Sequence, residues 1–151
     1  MSPRKQASPA RSAARLAAVQ ALYQYQMEKP GLALLLDEFH QHRLGAEIED
    51  VTYNEADHVF FDDLVKGTIV RIEEIDALIA GKLADGWSLV RLDRTMLQIL
   101  RVGTYELLAR ADVPKATAIS EYVDVAHAFF DEREAKFVNG LLDAIARQVR
   151  D

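Results

Sequence analysis

The apolar residues of this chain recur every three or four positions, and this spacing restricts the fold more than any other feature of the sequence. The clearest run lies near the C-terminus, where Phe137, Leu141, Ile145 and Val149 stand four residues apart. Such spacing places apolar side chains along one face of an α-helix. Alternating apolar and polar runs are scarce, and 151 residues contain only seven glycines and four prolines. The sequence therefore predicts an all-α fold in one domain.

Cap residues and helix-breaking residues set the ends of the predicted helices. Ser8 before Pro9 predicts the start of the first helix, and Asp93 and Thr117 predict the starts of two later ones. Gly103, in the middle of a helix, predicts a closely packed neighbour. The predicted helices are 8–27, 32–43, 55–83, 94–111, 117–129 and 134–149, with a short helical piece over 87–92.

These six or seven helices are expected to form two packed groups. An acidic loop after Gly45 divides an N-terminal helical part (8–50) from a C-terminal helical bundle (54–151). Residues 1–7 are small, polar and basic, and they are predicted to be a disordered tail.

The early charge on the chain is entirely positive. Arg4, Lys5, Arg11 and Arg15 precede the first acidic residue, Glu28, in a protein whose net charge is −6. A short cationic end on an acidic protein suits a polyanion: nucleic acid first, because Arg and Lys displace phosphate counterions, and an anionic membrane surface second. The plain alternative is a solubilising tail.

Several other functional classes are disfavoured by the composition. No cysteine is present, so disulfides and thiolate metal sites are excluded. His40, His42, His58 and His127 lack the spacing of converging metal ligands, and no metal site is predicted. The chain has no glycine-flanked serine and no glycine-rich phosphate loop, which argues against an enzyme and against a cofactor. No apolar run approaches the ~20 residues of a membrane span, and the sequence favours a cytoplasmic protein with no membrane contact.

Two further features favour nucleic acid as the ligand. Arg11 and Arg15 carry the charge onto an ordered helix, and Tyr23 on the same helix suits stacking with unpaired bases. The alternative for Tyr23 is core packing. Near the other end, Asn139 and Gly140 are poor helix formers inside the last helix, which predicts close packing or a polar contact there.

Five stretches of the chain together resemble the NusB family of bacterial transcription antitermination factors. They occur in the family's order and cover most of the chain: RLAAVQALYQYQ (15–26), FFDDLVKGT (60–68), LDRTMLQILRVGTYELL (92–108), DVPKATAISEYVDVA (112–126) and KFVNGLLDAI (136–145). The resemblance implies an all-helical, NusB-like bundle of two packed subdomains. It also implies binding of boxA, a short single-stranded RNA element, together with NusE, a ribosomal protein of the small subunit. In this role the RNA polymerase antitermination complex reads through terminators, notably in rRNA operons, and no cofactor is involved.

The resemblance also implies which residues contact RNA. The family's surface combines the basic N-terminus, the first helix and the start of the last helix, which here gives Arg4, Lys5, Arg11, Arg15, Tyr23, Arg133, Lys136, Phe137 and Asn139. We expect the first helix and the start of the last helix to lie side by side, with Arg11, Arg15, Tyr23 and Lys136 on one surface. About four phosphate contacts would give a salt slope of roughly −3 for single strands.

Other interpretations remain open at this stage. A NusB-like domain also precedes some rRNA cytosine methyltransferases, but 151 residues leave no room for a methyltransferase domain. The chain could instead be a purely structural helical interaction protein with a nonspecific basic tail. The residues that contact NusE are not singled out, and the resemblance allows both a monomer and a homodimer.

Overall fold

A computed structural model describes residues 8–41 and 55–150, and these residues form seven α-helices without a strand. The all-α prediction is confirmed. The helices are α1 (Pro9–Glu28), α2 (Leu32–Phe39), α3 (Glu55–Val70), α4 (Ile72–Ala80), α5 (Arg94–Ala109), α6 (Lys115–Phe129) and α7 (Glu132–Arg150), with a 3₁₀ turn at Leu89–Arg91 before α5. The basic tail (1–7) and the acidic loop after Gly45 lie outside the described residues. No helix in the described ranges is long and apolar enough to cross a membrane.

Helix α5 forms the centre of the bundle and packs against α1, α3, α4, α6 and α7. It crosses α7 closely at Gly103, where an added Cβ would lie 3.0 Å from a Leu142 methyl and 3.3 Å from the Tyr122 ring. The prediction of a closely packed helix at this glycine is confirmed. Because α1 also packs on α3 and α6, the N-terminal helix is seated directly on the C-terminal bundle.

The single long helix predicted over 55–83 is wrong. The chain bends at Arg71 (φ −102°, ψ 22°), which separates α3 from α4. Both halves pack against α5, so the bend keeps the apolar side of each half on the central helix. Helix α4 then ends at Ala80 with Gly81 as its C-cap, three residues before the predicted end.

The predicted caps are confirmed at two positions and wrong at a third. The Ser8 side chain accepts a hydrogen bond from the Arg11 backbone N–H, and Asp93 accepts from the first turn of α5. Thr117, however, lies within α6, which starts at Lys115. Pro114 occupies the N-cap position, and its carbonyl accepts from the Ala118 N–H at 3.0 Å.

Helix α7 corrects the predicted core stripe near its start. Its buried residues are Ala135, Val138, Leu141, Leu142, Ile145 and Ala146, whereas Phe137 is 38% exposed. A strict four-residue step drifts around a helix of 3.6 residues per turn, so the first member of the stripe reaches the solvent side. Close packing, one of the two alternatives predicted at Asn139 and Gly140, is not found at Gly140: the residue is exposed, and an added Cβ would meet no atom of the described residues within 4 Å.

Candidate nucleic-acid interface

Arg15 lies in the interior, in contrast to the sequence-based prediction that placed it on an open surface. Its side chain is 1% exposed. The guanidinium donates to Glu106 Oε2 at 2.7 Å and to Glu121 Oε1 at 2.8 Å, and the Tyr122 hydroxyl donates to Glu106 Oε1 at 2.7 Å. We call Arg15, Glu106, Glu121 and Tyr122 the buried arginine cluster. It ties α1 to α5 and α6.

The electrostatics of the buried arginine cluster keep Arg15 charged and Tyr122 neutral. Burial is the largest single influence on the pKa of Arg15 and lowers it, but the hydrogen bond and charge of Glu106, together with Tyr122 and Glu121, outweigh it, so that the pKa rises above its ordinary value. Burial raises the pKa of Tyr122 well above 10, and the nearby Glu106 carboxylate adds to the effect. The cluster is therefore a paired and hydrogen-bonded buried charge. Because Arg15 is buried and paired with two carboxylates, a phosphate cannot reach it from solvent.

Arg11 lies near the beginning of α1, and one side of its guanidinium contacts other residues of the protein. Its guanidinium carbon is 4.4 Å from the centre of the Phe60 ring, and its Nη1 is 3.7 Å from Asp112 Oδ2. The side chain is 36% exposed. Arg11 can therefore meet an anion only from its open side, next to the carboxylate of Asp112.

Tyr23 lies three-quarters of the way along α1 and faces solvent, about three turns of helix beyond Arg11. Helix α1 runs antiparallel to α5, since Arg15 contacts Glu106 while Gln26 contacts Gln98 near the start of α5. Tyr23 is 39% exposed, and with Phe129 it lines a surface cavity of about 320 Å³. The alternative of complete core packing is thus wrong for Tyr23.

The first turns of α7 present a second group of predicted residues. Arg133 is 92% exposed, with a weak contact to Glu134 at 3.6 Å. Lys136 and Asn139 are exposed, and Phe137 is more than one-third exposed. All four side chains lie outside the buried stripe of α7. Arg133, Lys136 and Phe137 are grouped on one side, whereas Asn139, two residues after Phe137, points about 160° away from it.

Phe129 and Phe130 connect Tyr23 with the start of α7. Phe129 lines the cavity beside Tyr23, and the Phe129 and Phe130 ring centres are 6.4 Å apart. Phe130 in turn lines a groove of about 720 Å³ together with Arg133 and Phe137. We call the resulting surface the aromatic–basic face: Tyr23, Phe129, Arg133 and Phe137, with the exposed Lys136 next to Phe137 on α7. Asn139 lies outside it.

Phe129 was absent from the sequence-based candidates, although the sequence contains a signal for it. Two consecutive phenylalanines at a helix end point about 100° apart, so they cannot both enter the same core. Here Phe130 is partly buried against the core and Phe129 is 43% exposed.

The predicted side-by-side packing of α1 with the start of α7 is wrong, because α1 packs on α2, α3, α5 and α6. Arg11, Arg15, Tyr23 and Lys136 therefore do not share one surface. Arg15 is buried, and Arg11 is separated from Tyr23 by about 18 Å of helix axis, the length of twelve residues at 1.5 Å each. Tyr23 and Phe137 line two cavities that Phe129 and Phe130 connect at the end of α6, and Lys136 precedes Phe137 on α7. Arg4 and Lys5 lie outside the described residues.

The histidines include one pair that the sequence spacing did not predict. The rings of His40 and His58 stack with centres 4.7 Å apart, and His40 Nε2 is 2.6 Å from Asp62 Oδ1. Within residues 8–41 and 55–150, no group of three or more His, Asp or Glu side chains is arranged to hold a metal ion. His42 lies outside the described residues.

The chain is similar to known proteins over nearly its whole length. The sequence profile of the NusB family matches residues 12–147. The chain is 72% identical over 141 residues to the transcription antitermination protein NusB of Novosphingobium aromaticivorans, covering 93% of this chain and 95% of the relative. It is 66% identical over 140 residues to that of Sphingopyxis alaskensis, covering 93% and 94%.

Solved structures agree with these sequence relatives. T. maritima NusB superposes with a TM-score of 0.79 at 30% identity, covering 97% of this chain and 96% of that one. A chain from a complex of the antitermination factors NusB and NusE with dsRNA gives the same TM-score at 27% identity, covering 94% and 99%.

Proposed function

This chain belongs to the NusB family, and from that premise we propose that it binds boxA RNA together with NusE and promotes transcriptional read-through, including that of rRNA operons. The family match spans residues 12–147, and the similar sequences are transcription antitermination proteins. The chain is accordingly a transcription antitermination factor and not an enzyme.

The aromatic–basic face is the observation that carries the proposed RNA site. Tyr23, Phe129 and Phe137 are each between 38% and 43% exposed, although aromatic side chains on a stable bundle normally enter the core. Arg133 and Lys136 add positive charge beside these rings. Aromatic rings next to cations suit single-stranded RNA, whose bases stack while its phosphates pair with Lys and Arg.

The proposal extends to the partners. A structural relative has been solved with NusE and dsRNA, which supports NusE as the protein partner of this chain. Since the chain is net negative and ribosomal proteins are basic, complementary charge favours this pairing. We further propose that the RNA polymerase antitermination complex recruits the chain in the cytoplasm. A homodimer that covers the aromatic–basic face would compete with RNA. In that case boxA RNA would convert the dimer into monomers, and size-exclusion chromatography with and without RNA would detect the change.

Fluorescence anisotropy with labelled boxA RNA tests the function. We expect tighter binding to boxA than to a scrambled RNA of equal length, and tighter binding still when NusE is present. Equal affinity for the two RNAs would overturn the proposal and favour a structural helical protein with a nonspecific basic tail.

A salt titration tests the site itself. Lys136→Gln should reduce the slope of log affinity against log salt by about 0.7, the contribution of one phosphate contact to a single strand. Arg147→Gln is the matched control, because Arg147 is 73% exposed on the same helix but lies about three turns further along. Equal slopes for the wild type and Lys136→Gln would remove Lys136 from the site.

A further inference from the structure

Nothing within the part of the chain that the structure describes requires glycine at position 140. It is the ninth residue of the 19-residue helix α7 and is exposed. A Cβ added there would meet nothing within 4 Å, and its φ lies outside the positive range. By contrast, an added Cβ would overlap the Tyr105 ring at Gly67 and crowd Leu142 at Gly103, and Gly86 has a φ of +87°. These three glycines are explained within the fold.

Glycine at this position lowers the stability of the helix. In an exposed helix interior it is less favourable than alanine by about 1 kcal/mol, because it loses more backbone freedom on folding. No packing contact within the described residues offsets this cost. A ligand that packs directly against the backbone at this position would offset the cost in helix stability.

Gly140 stands beside the residues that the proposed function places against RNA. Lys136 and Phe137 precede it by four and three residues, so all three share one side of α7. The absence of a side chain at 140 leaves open backbone one turn beyond the exposed Phe137 ring. A nucleotide stacked on that ring would need room along the helix for its sugar and phosphate.

We propose, on the basis of the function proposed above, that Gly140 is a contact position at which a single-stranded RNA nucleotide packs directly against the α7 backbone. One base then stacks on Phe137 while the adjoining phosphate reaches Lys136. A side chain at 140 would hold the strand away from the helix and weaken both contacts. Gly140 therefore contributes to RNA binding by leaving space for the strand beside the helix backbone.

The test is Gly140→Ala, measured by thermal unfolding and by boxA RNA binding in the presence of NusE. We expect the Tm to rise by about 2–4 °C, as a gain of helix propensity in a domain of this size would give. We expect the Kd for RNA to rise about tenfold, within the range for a lost base stack. Gly140→Gln should weaken RNA binding further because its side chain is longer.

Gly81→Ala is the matched control. Its added Cβ makes only an ordinary contact, 3.4 Å from the Ala77 carbonyl, at the end of α4. It should leave RNA affinity within twofold of the wild type. Unchanged affinity for Gly140→Ala, or a fall in its Tm, would overturn this inference while the proposed function stands. Failure of the wild-type protein and NusE to bind boxA RNA would overturn the proposed function and this inference with it.

Discussion

Arg15 and Lys136 both stand on amphipathic helices among apolar residues, yet they lie in opposite surroundings. Arg15 is enclosed in the buried arginine cluster, where two carboxylates and a tyrosine complete its environment. Lys136 is exposed on the aromatic–basic face, next to the exposed ring of Phe137. The first cation is part of the folded core, whereas the second is available to a ligand.

The difference arises from the helices that face each cation. Glu106 on α5 and Glu121 on α6 both approach Arg15, and this pairing makes burial of the charge possible. Lys136 is exposed on the outer side of α7 instead. A basic residue on a helix therefore indicates a ligand surface only when no carboxylate from a neighbouring helix neutralises it.

Arg15→Met should have the largest effect of the variants that separate the two regions. Glu106 accepts hydrogen bonds from Arg15 Nε, Arg15 Nη2 and the Tyr122 hydroxyl, and removal of the guanidinium leaves it buried with the hydroxyl alone. Breaking a buried ion pair typically costs about 3–5 kcal/mol. We expect the free energy of unfolding, measured in urea by circular dichroism, to fall by about that amount. The RNA affinity of the folded protein should stay within about threefold, a factor that corresponds to under 1 kcal/mol.

The double variant Arg15→Met with Glu106→Gln serves as the control for this prediction. It removes the uncompensated charge and should recover part of the stability that Arg15→Met loses. A stable Arg15→Met protein that no longer binds RNA would contradict the assignment of Arg15 to the core.

Phe137→Ala should have the reverse effect. Loss of one base stack costs about 1–3 kcal/mol of binding, so we expect boxA affinity to fall by about 5- to 150-fold. The ring is 38% exposed and only partly packed, so the free energy of unfolding should fall by less than it does in Arg15→Met. Anisotropy and urea unfolding on the same preparation give both quantities.

Val70→Ala is the matched control for an exposed apolar side chain away from the aromatic–basic face. Val70 is 81% exposed at the end of α3. It should change neither RNA affinity nor stability by more than about 0.5 kcal/mol. If Val70→Ala and Phe137→Ala weaken RNA binding equally, the loss reflects general surface apolarity and the stacking role of Phe137 is refuted.

The fold was largely predictable from the sequence because its signals are local. Apolar spacing and the caps at Ser8 and Asp93 depend on residues within one or two turns, and these predictions are confirmed. The bend at Arg71 was missed because it depends on how two halves of one helix meet α5. A continuous apolar stripe contains no information about such a bend.

The candidate site was predictable only in part, among its aromatic residues and among its charges alike. Lys136 and Arg133 are exposed as expected, whereas Arg15 is buried and Phe129 was missed. Tyr23 and Phe137 were candidates, but the apolar spacing of their helices also allowed both to be core residues. Only the structure shows that they are exposed. The burial of Arg15 depends on Glu106 and Glu121, which are 91 and 106 residues away along the chain. Pairings at such separations are set by tertiary packing, so the sequence could not distinguish Arg15 from a ligand-binding arginine.

Tyr122→Phe should have the smallest effect, and it probes the buried arginine cluster through pH. At pH 7 the variant loses a hydrogen bond to the Glu106 carboxylate, which we expect to cost about 1.5 kcal/mol. Folding raises the pKa of Tyr122 above its unfolded value of about 10, so above pH 10 the unfolded chain releases a proton that the folded chain retains. The stability that Tyr122 contributes is therefore complete below pH 10 and declines as the pH rises further.

The stability gap between the wild type and Tyr122→Phe should accordingly be constant from pH 7 to 9 and shrink above pH 10, as urea unfolding at each pH will measure. Tyr105, whose pKa burial and Asp63 raise to about 12, remains in both proteins and cancels from the difference. A gap for Tyr122→Phe that stays constant to pH 11 would mean that its hydroxyl ionises equally in the folded and unfolded chain. The cluster would then be open to water, and the contrast between the two regions would be lost.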